Sequence, residues 1–217
     1  VTRPLLAIED LSFGYPGAPP LVSGWSGRID GGVTLLYGDT GSGKSTLLRI
    51  LAGALPAPGR LTLAGTSLDQ DAAAYRRNVF FVDTSTDAYD AMSCRECTNA
   101  LVASDARFDA AAWQALVDAF SLAPHLEKKM FMLSTGSKRK VWLAAGLASR
   151  RALTLLDEPT AGLDGPSRRA LWAALAQTTA RPDGAVVVAS GERIGDVVFD
   201  ATVELPLVSS RIPPSPL

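Results

Sequence analysis

Residues 35–53 read LLYGDTGSGKSTLLRILAG. A short apolar run passes straight into a glycine loop, and the loop passes into helical spacing. Gly38-x4-Gly43-Lys44-Ser45 is the P-loop pattern in its required strand–loop–helix setting. Glycines 38, 41 and 43 let the backbone bend so that successive N–H groups point inward at phosphate oxygens. The helix opening near Lys44 adds its N-terminal donors and dipole. Lys44 is placed to reach the β- and γ-phosphates and Ser45 to ligate Mg2+, with Ser42 and Thr46 completing the phosphate-facing set.

Outward from this loop, short apolar strands alternate with helical patterns, which predicts an α/β P-loop NTPase fold: a mainly parallel sheet core covered by helices. LLAIEDLSF and WSGRID read as strands of an N-terminal antiparallel β portion, separated by the turn-rich GYPGAPP. RLTLAG and NVFFVD are further strands. Between residues 86 and 133 the character changes: CRECTNALVAS and FDAAAWQALVDAFSL carry helical periodicity with no strong strand among them, so a helical sub-domain insertion is expected there. Alternation returns with ALTLLDEP, PSRRALWAALAQ, GAVVVAS and ATVEL. One domain over 1–217 is expected, its core at about 1–85 and 134–205, with a proline-rich, mobile tail at 206–217.

Two further stretches narrow the chemistry. ALTLLDEP is a buried strand ending in Asp157-Glu158. A carboxylate at such a strand end can hold Mg2+ through water, and the next can orient or deprotonate an attacking water. On its own the pair is equally a polar strand end; the upstream P-loop favours the catalytic reading. In MLSTGSKRKVWLAAGLAS, Leu133-Ser134-Thr135-Gly136 leads into a helix whose first turns carry Lys138, Arg139 and Lys140. A small polar loop at a helix N-terminus is a second anion site, although taken alone it reads as an N-cap, Ser134 or Ser137, before a solvated basic turn.

Together, Gly38–Ser45, LSTGS, LLDEP and AGLD stand in the order and spacing of the ATP-binding subunits of ABC transporters, and the resemblance spans residues 5 to 205. It implies a head-to-tail dimer with two nucleotides sandwiched between subunits. LSTGS resembles the signature motif, whose Ser134 and Gly136 would contact the γ-phosphate on the other subunit's P-loop. AGLD, ending in Asp164, is similar to the loop linking the two sites. Tyr15 matches the aromatic that stacks on adenine, with Phe13 its rival. ATP and Mg2+ are the implied cofactors; the implied partners are a transmembrane transporter subunit, docked on residues 85 to 130, and a second ATP-binding subunit. The implied location is cytoplasmic, at the inner face of the membrane.

Three departures stand out. The family's glutamine after the strand NVFFVD is replaced by Asp83 or Thr84. Its histidine after the last core strand is replaced by Ser190 or Gly191, and a hydroxyl cannot carry the imidazole's charge. Asp39 stands in the phosphate loop where an uncharged residue is usual, and it is expected to point outward. His125, the chain's single histidine, lies in the helical insertion and is expected at the surface. The resemblance therefore implies an ATP-binding and ATP-hydrolysing subunit, with Glu158 as the catalytic residue and Ser45 and Asp157 toward the metal. The alternative is a weakly hydrolysing or non-catalytic subunit paired with a competent ATPase. A small-molecule kinase is disfavoured by LSTGS placed before LLDEPTAGLD. A soluble two-cassette protein of translation or DNA repair is disfavoured by the single cassette.

Composition sets the outer bounds. The 217 residues carry a net charge of −1, with 47% hydrophobic and 20% charged residues. There is no bulk electrostatic case for nucleic acid, and no apolar run reaches the ~18–20 residues of a membrane span. Glu9 and Asp10 come too early for a signal peptide. Cys94 and Cys97, the chain's two cysteines, share a helical face and read as packing residues rather than a metal or redox site.

Overall fold

The structure is a computed structural model, and it describes residues 4–103, 105–178, 183–194 and 197–208. In chain order its elements are β1 (Leu6–Phe13), β2 (Val22–Ile29), β3 (Gly32–Tyr37), α1 (Lys44–Leu51), β4 (Arg60–Leu63), β5 (Thr66–Ser67), α2 (Ala72–Arg77) and β6 (Val79–Phe81). There follow α3 (Cys94–Leu101), α4 (Ala110–Ala119), α5 (Thr135–Ser149), β7 (Leu153–Asp157), α6 (Gly165–Thr178), β8 (Ala185–Ser190), β9 (Ala201–Glu204) and β10 (Leu207–Val208).

Two sheets form. The order β6-β7-β8-β3-β9 is parallel throughout. Its central strand β8 reads AVVVAS and is buried along its whole length, as a strand covered on both faces must be. The other sheet, β10-β2-β1-β4-β5, is antiparallel between β2, β1, β4 and β5. Here β10 adds in parallel, Leu207 opposite Val22 and Val208 opposite Ser23. The sheet thus extends into the stretch assigned to the proline-rich tail, because an apolar pair found an open edge; the rest of that stretch, 209–217, lies outside the described residues.

One hydrophobic cluster lies between the sheets and α1, with Leu6, Ile8, Leu47, Ile50, Leu155 and Val187 among its members. A second joins the parallel sheet to the helices, through Cys94, Cys97, Val117, Phe120, Trp142 and Val188. Helix α3 starts with a capping box: Ser93 Oγ accepts from Glu96 N, and Glu96 Oε2 accepts from Ser93 N. The two cysteines are fully buried on its inner face. Burial pushes the Cys97 thiol up to about 11 and raises Cys94 as well. Cys94 Sγ donates to the carbonyl of His125 at 3.0 Å. His125 is half-buried rather than at the surface, because the turn carrying it packs under α3.

The helical segment is tied to the sheet through Arg151. Its guanidinium pairs with the buried Asp105 at 2.9 Å and donates to the carbonyls of Val79 and Leu101. No helix among the described residues is long and apolar enough to cross a membrane.

Candidate functional site

In an open parallel sheet, ligands collect in the crevice beyond the carboxyl ends of the strands. Here three adjacent strands, β7, β8 and β3, end side by side. Glu158 follows β7, Ser190 ends β8 and Gly191 follows it, and the glycine loop follows β3. Residues far apart in the sequence are thereby gathered at one edge. A cavity of about 1120 Å3 opens there, walled by residues 40–46, by Glu158, Thr160, Ala161 and Arg168, and by Ser190–Glu192. Tyr15, residues 18–21 and Pro206 close its other end.

The loop has the geometry its glycines allow. Gly41 and Gly43 take φ of 82° and 94°, in the left-handed region that favours glycine. A side chain at Gly43 would also run into Leu21. Helix α1 begins without a side-chain cap, so its first-turn amides are left for a ligand. Asp39 is exposed and is not among the residues that line the cavity.

Lys44 is buried at the centre of the site. Its Nζ donates to the carbonyls of Gly38 at 2.7 Å and Asp39 at 3.1 Å, and pairs with Glu158 Oε1 at 3.2 Å. The same Glu158 oxygen accepts from the Gly191 amide at 3.0 Å. Glu158 itself has φ of 43°, a left-handed conformation uncommon for a non-glycine residue and typical of functional sites. The carboxylate is thus drawn across the phosphate loop, with its side chain still 41% exposed to the cavity. An anion bound on the loop would compete with Glu158 for Lys44.

Tyr15 is 51% exposed at the other end of the cavity. Its hydroxyl bonds Thr46 Oγ1 at 3.1 Å, and its ring meets Phe13 edge-on with centroids 5.1 Å apart. Of the two aromatics, Tyr15 is the one on the cavity wall; a flat face there suits a nucleobase.

The donor set fits Mg2+. Ser45 is exposed on the cavity wall, and Asp157 Oδ1 is buried with no protein partner. A partnerless carboxylate oxygen and a phosphate-loop hydroxyl are the hard-oxygen donors this ion takes, although the two line different cavities. Asp157 is absent from the phosphate-cavity wall and borders a smaller cavity with Thr84, Arg139 and Trp142. Of the two candidates after β6, Thr84 therefore lies beside the metal-type carboxylate. Asp83 is turned away, pairing with Arg49 at 2.7 Å. Hydrogen bonds from Ser85, and then Arg49, hold its carboxyl below the usual range, and Asp83 does not line the phosphate cavity.

Ser134, Gly136 and Asp164 are not on this cavity wall; Ser134 and Asp164 are exposed near the start of α5, whereas Gly136 is buried. Ser134 Oγ accepts from Ser137 N at 3.2 Å and is the N-cap of α5, so the capping reading of LSTGS holds. The hydroxyl nonetheless stays exposed. Gly136 packs so closely on the 161–164 loop that an added Cβ would lie 2.2 Å from the Gly162 carbonyl oxygen. Lys140 pairs with Asp164 at 2.8 Å, and Arg139 Nη1 donates to the Ala161 carbonyl. Hydrogen bonds from Lys140 and Ser167 hold the Asp164 carboxyl well below the usual range. Burial lowers the Arg139 guanidinium from its ordinary value, while Asp157 and Glu158 draw it back up. The signature-like turn and the loop after Glu158 are thereby joined within one chain.

Fold and phosphate loop define a P-loop nucleotide-binding domain. The sequence profile of the ABC transporter family matches residues 29–161, more than half of the chain, and the chain belongs to that family as an ATP-binding subunit. It is 33% identical to the cytochrome c biogenesis ATP-binding export protein CcmA 1 of Cupriavidus metallidurans, over 97% of both chains. It is 36% identical to the cobalt import ATP-binding protein CbiO of Rhodobacter capsulatus, over 74% of this chain and 61% of that protein's length. A solved ATP-binding subunit of an ABC transporter superposes with a TM-score of 0.75, covering 93% of this chain and 86% of that one. At 23% identity this likeness carries the fold alone.

Proposed function

We propose that this chain is the ATP-hydrolysing subunit of a membrane transporter, acting in a head-to-tail dimer. The observation that carries the reading is Glu158, held at 3.2 Å from Lys44 on the cavity wall. Lys44 and the amides of the loop bind the β- and γ-phosphates, and the Tyr15 ring stacks on adenine. Ser45 and Asp157 would hold Mg2+, which neutralises phosphate charge when bound. Glu158 takes the proton of the attacking water as its oxygen bonds Pγ. The bond from Pγ to the bridging oxygen breaks, and ADP leaves with the electron pair. Ser134, Gly136 and Asp164 would complete the site of a second subunit. The helical segment of residues 85–130 would dock on a membrane-spanning partner, placing the chain at the membrane's inner face. The whole chain, 1–217, is read as one ATPase domain.

Ser190 favours a second reading. At the cavity edge it offers a hydroxyl, which already accepts from Glu192 N at 3.0 Å, and no cationic ring. A subunit so equipped would bind ATP while a partner ATPase supplied the turnover. Phosphate release from ATP by the purified chain separates the two. Release that depends on Mg2+ and stops in EDTA is expected; tight ATP binding with no release in either condition supports the second reading.

A further inference from the structure

Two cations border the phosphate cavity, Lys44 and Arg168, against two carboxylates, Glu158 and Glu192. Lys44 is fully engaged with two loop carbonyls and Glu158. The Arg168 guanidinium has no hydrogen bond or ion pair to any of the described residues. A nucleoside triphosphate brings several negative charges to this wall, and phosphoryl transfer concentrates charge on its terminal oxygens. Nothing at the end of β8 supplies a cation to meet it, since Ser190 and Gly191 stand there. Arg168 is therefore the uncommitted positive charge in the enclosure.

Its backbone is set by the loop that positions Glu158. Asp164 Oδ1 accepts from Ser167 N at 2.8 Å and the Asp164 carbonyl from Arg168 N at 3.0 Å, so Asp164 opens α6 and fixes Arg168 one turn in. Lys140 in turn pins Asp164. Glu158 and Arg168 thus stand at the two ends of one short anchored segment, both on the cavity wall. A guanidinium presents a planar fork of donors that matches phosphate oxygens and never loses its charge at neutral pH.

We propose that Arg168 is a catalytic residue of this site: its guanidinium donates hydrogen bonds to the terminal phosphate of the nucleotide on the P-loop and stabilises the charge that builds there as water attacks. No proton leaves the arginine; the water's proton goes to Glu158 and the electron pair leaves with ADP. The rate effect rests on the hydrolytic reading above, whereas the preference for a terminal phosphate does not.

The test compares ATP and ADP binding, and phosphate release, in wild type, Arg168→Ala and Arg168→Lys, all with Mg2+. Arg168 is exposed, so its replacements should melt as wild type does. Arg168→Ala should weaken ATP by about 10-fold, as for a lost hydrogen bond to a charged group, with ADP changed by less than about 2-fold, since the contact is to the terminal phosphate. Phosphate release should fall by about 10²–10³-fold, the scale of one lost transition-state donor. Arg168→Lys should recover part of the ATP preference. Equal weakening of ATP and ADP, or no change in either, overturns the proposal. If wild type releases no phosphate but loses its preference for ATP in Arg168→Ala, the hydrolytic reading fails and the phosphate contact stands. If wild type binds neither nucleotide, both fall.

Discussion

Lys44→Ala is expected to weaken ATP binding by about 100-fold or more, the scale of a lost charge-assisted contact in a dry site. The lysine is only 6% exposed, and its Nζ lies within reach of two loop carbonyls and Glu158. Removing it deletes the cation on which the terminal phosphates are held. It also frees the Glu158 carboxylate to repel them. Lys44→Met, which keeps the apolar stem, separates lost charge from lost packing: both variants should fail to bind at wild-type melting temperature for the methionine form. Calorimetric titration with ATP reads this directly. Binding by Lys44→Met within about 3-fold of wild type would remove the phosphate loop from the account.

Glu158→Gln should do the reverse, keeping ATP and losing turnover. The amide is nearly isosteric and its oxygen can still accept from Gly191 N, the bond now made at 3.0 Å. It cannot take a proton from water, so phosphate release should fall by about 10²–10⁴-fold, the usual contribution of a general base. The neutral side chain also ends the ion pair to Lys44, so the phosphate no longer has to displace a carboxylate. ATP affinity should therefore rise rather than fall, and the ATP-bound dimer should persist long enough to appear in sizing experiments. Turnover by Glu158→Gln at the wild-type rate would exclude Glu158 as the base.

The fold was legible where local chemistry and tertiary structure agree. Residues 38–45 form a strand–loop–helix because glycines need that loop and apolar residues need those flanks. The buried run from Leu153 ends in a carboxylate pair at a sheet edge. The helical character of the segment after residue 86 also showed in its periodicity. What could not be read was the result of strands from distant parts of the chain arriving side by side. Arg168 carries no motif; it faces the phosphate cavity because β7, β8 and β3 end together. The Lys44–Glu158 pair joins residues over a hundred positions apart. Whether Asp83 or Thr84 stood near the site depended on Arg49, one turn down α1, claiming the carboxylate. Leu207 and Val208 became a strand because the β2 edge was free. His125 was drawn under α3 by a turn whose carbonyl meets a buried thiol.

The central claim is that this chain turns over ATP as a dimer of its own kind, using Glu158 and Arg168 without a histidine after β8. The most direct test is the rate of phosphate release from saturating Mg2+ and ATP as protein concentration is raised. Specific activity that climbs with concentration and levels off once dimer predominates is the predicted result, because on the proposed reading each site would be completed by the Ser134 turn of another copy. Specific activity that is flat and indistinguishable from zero at every concentration, with ATP bound, would contradict it.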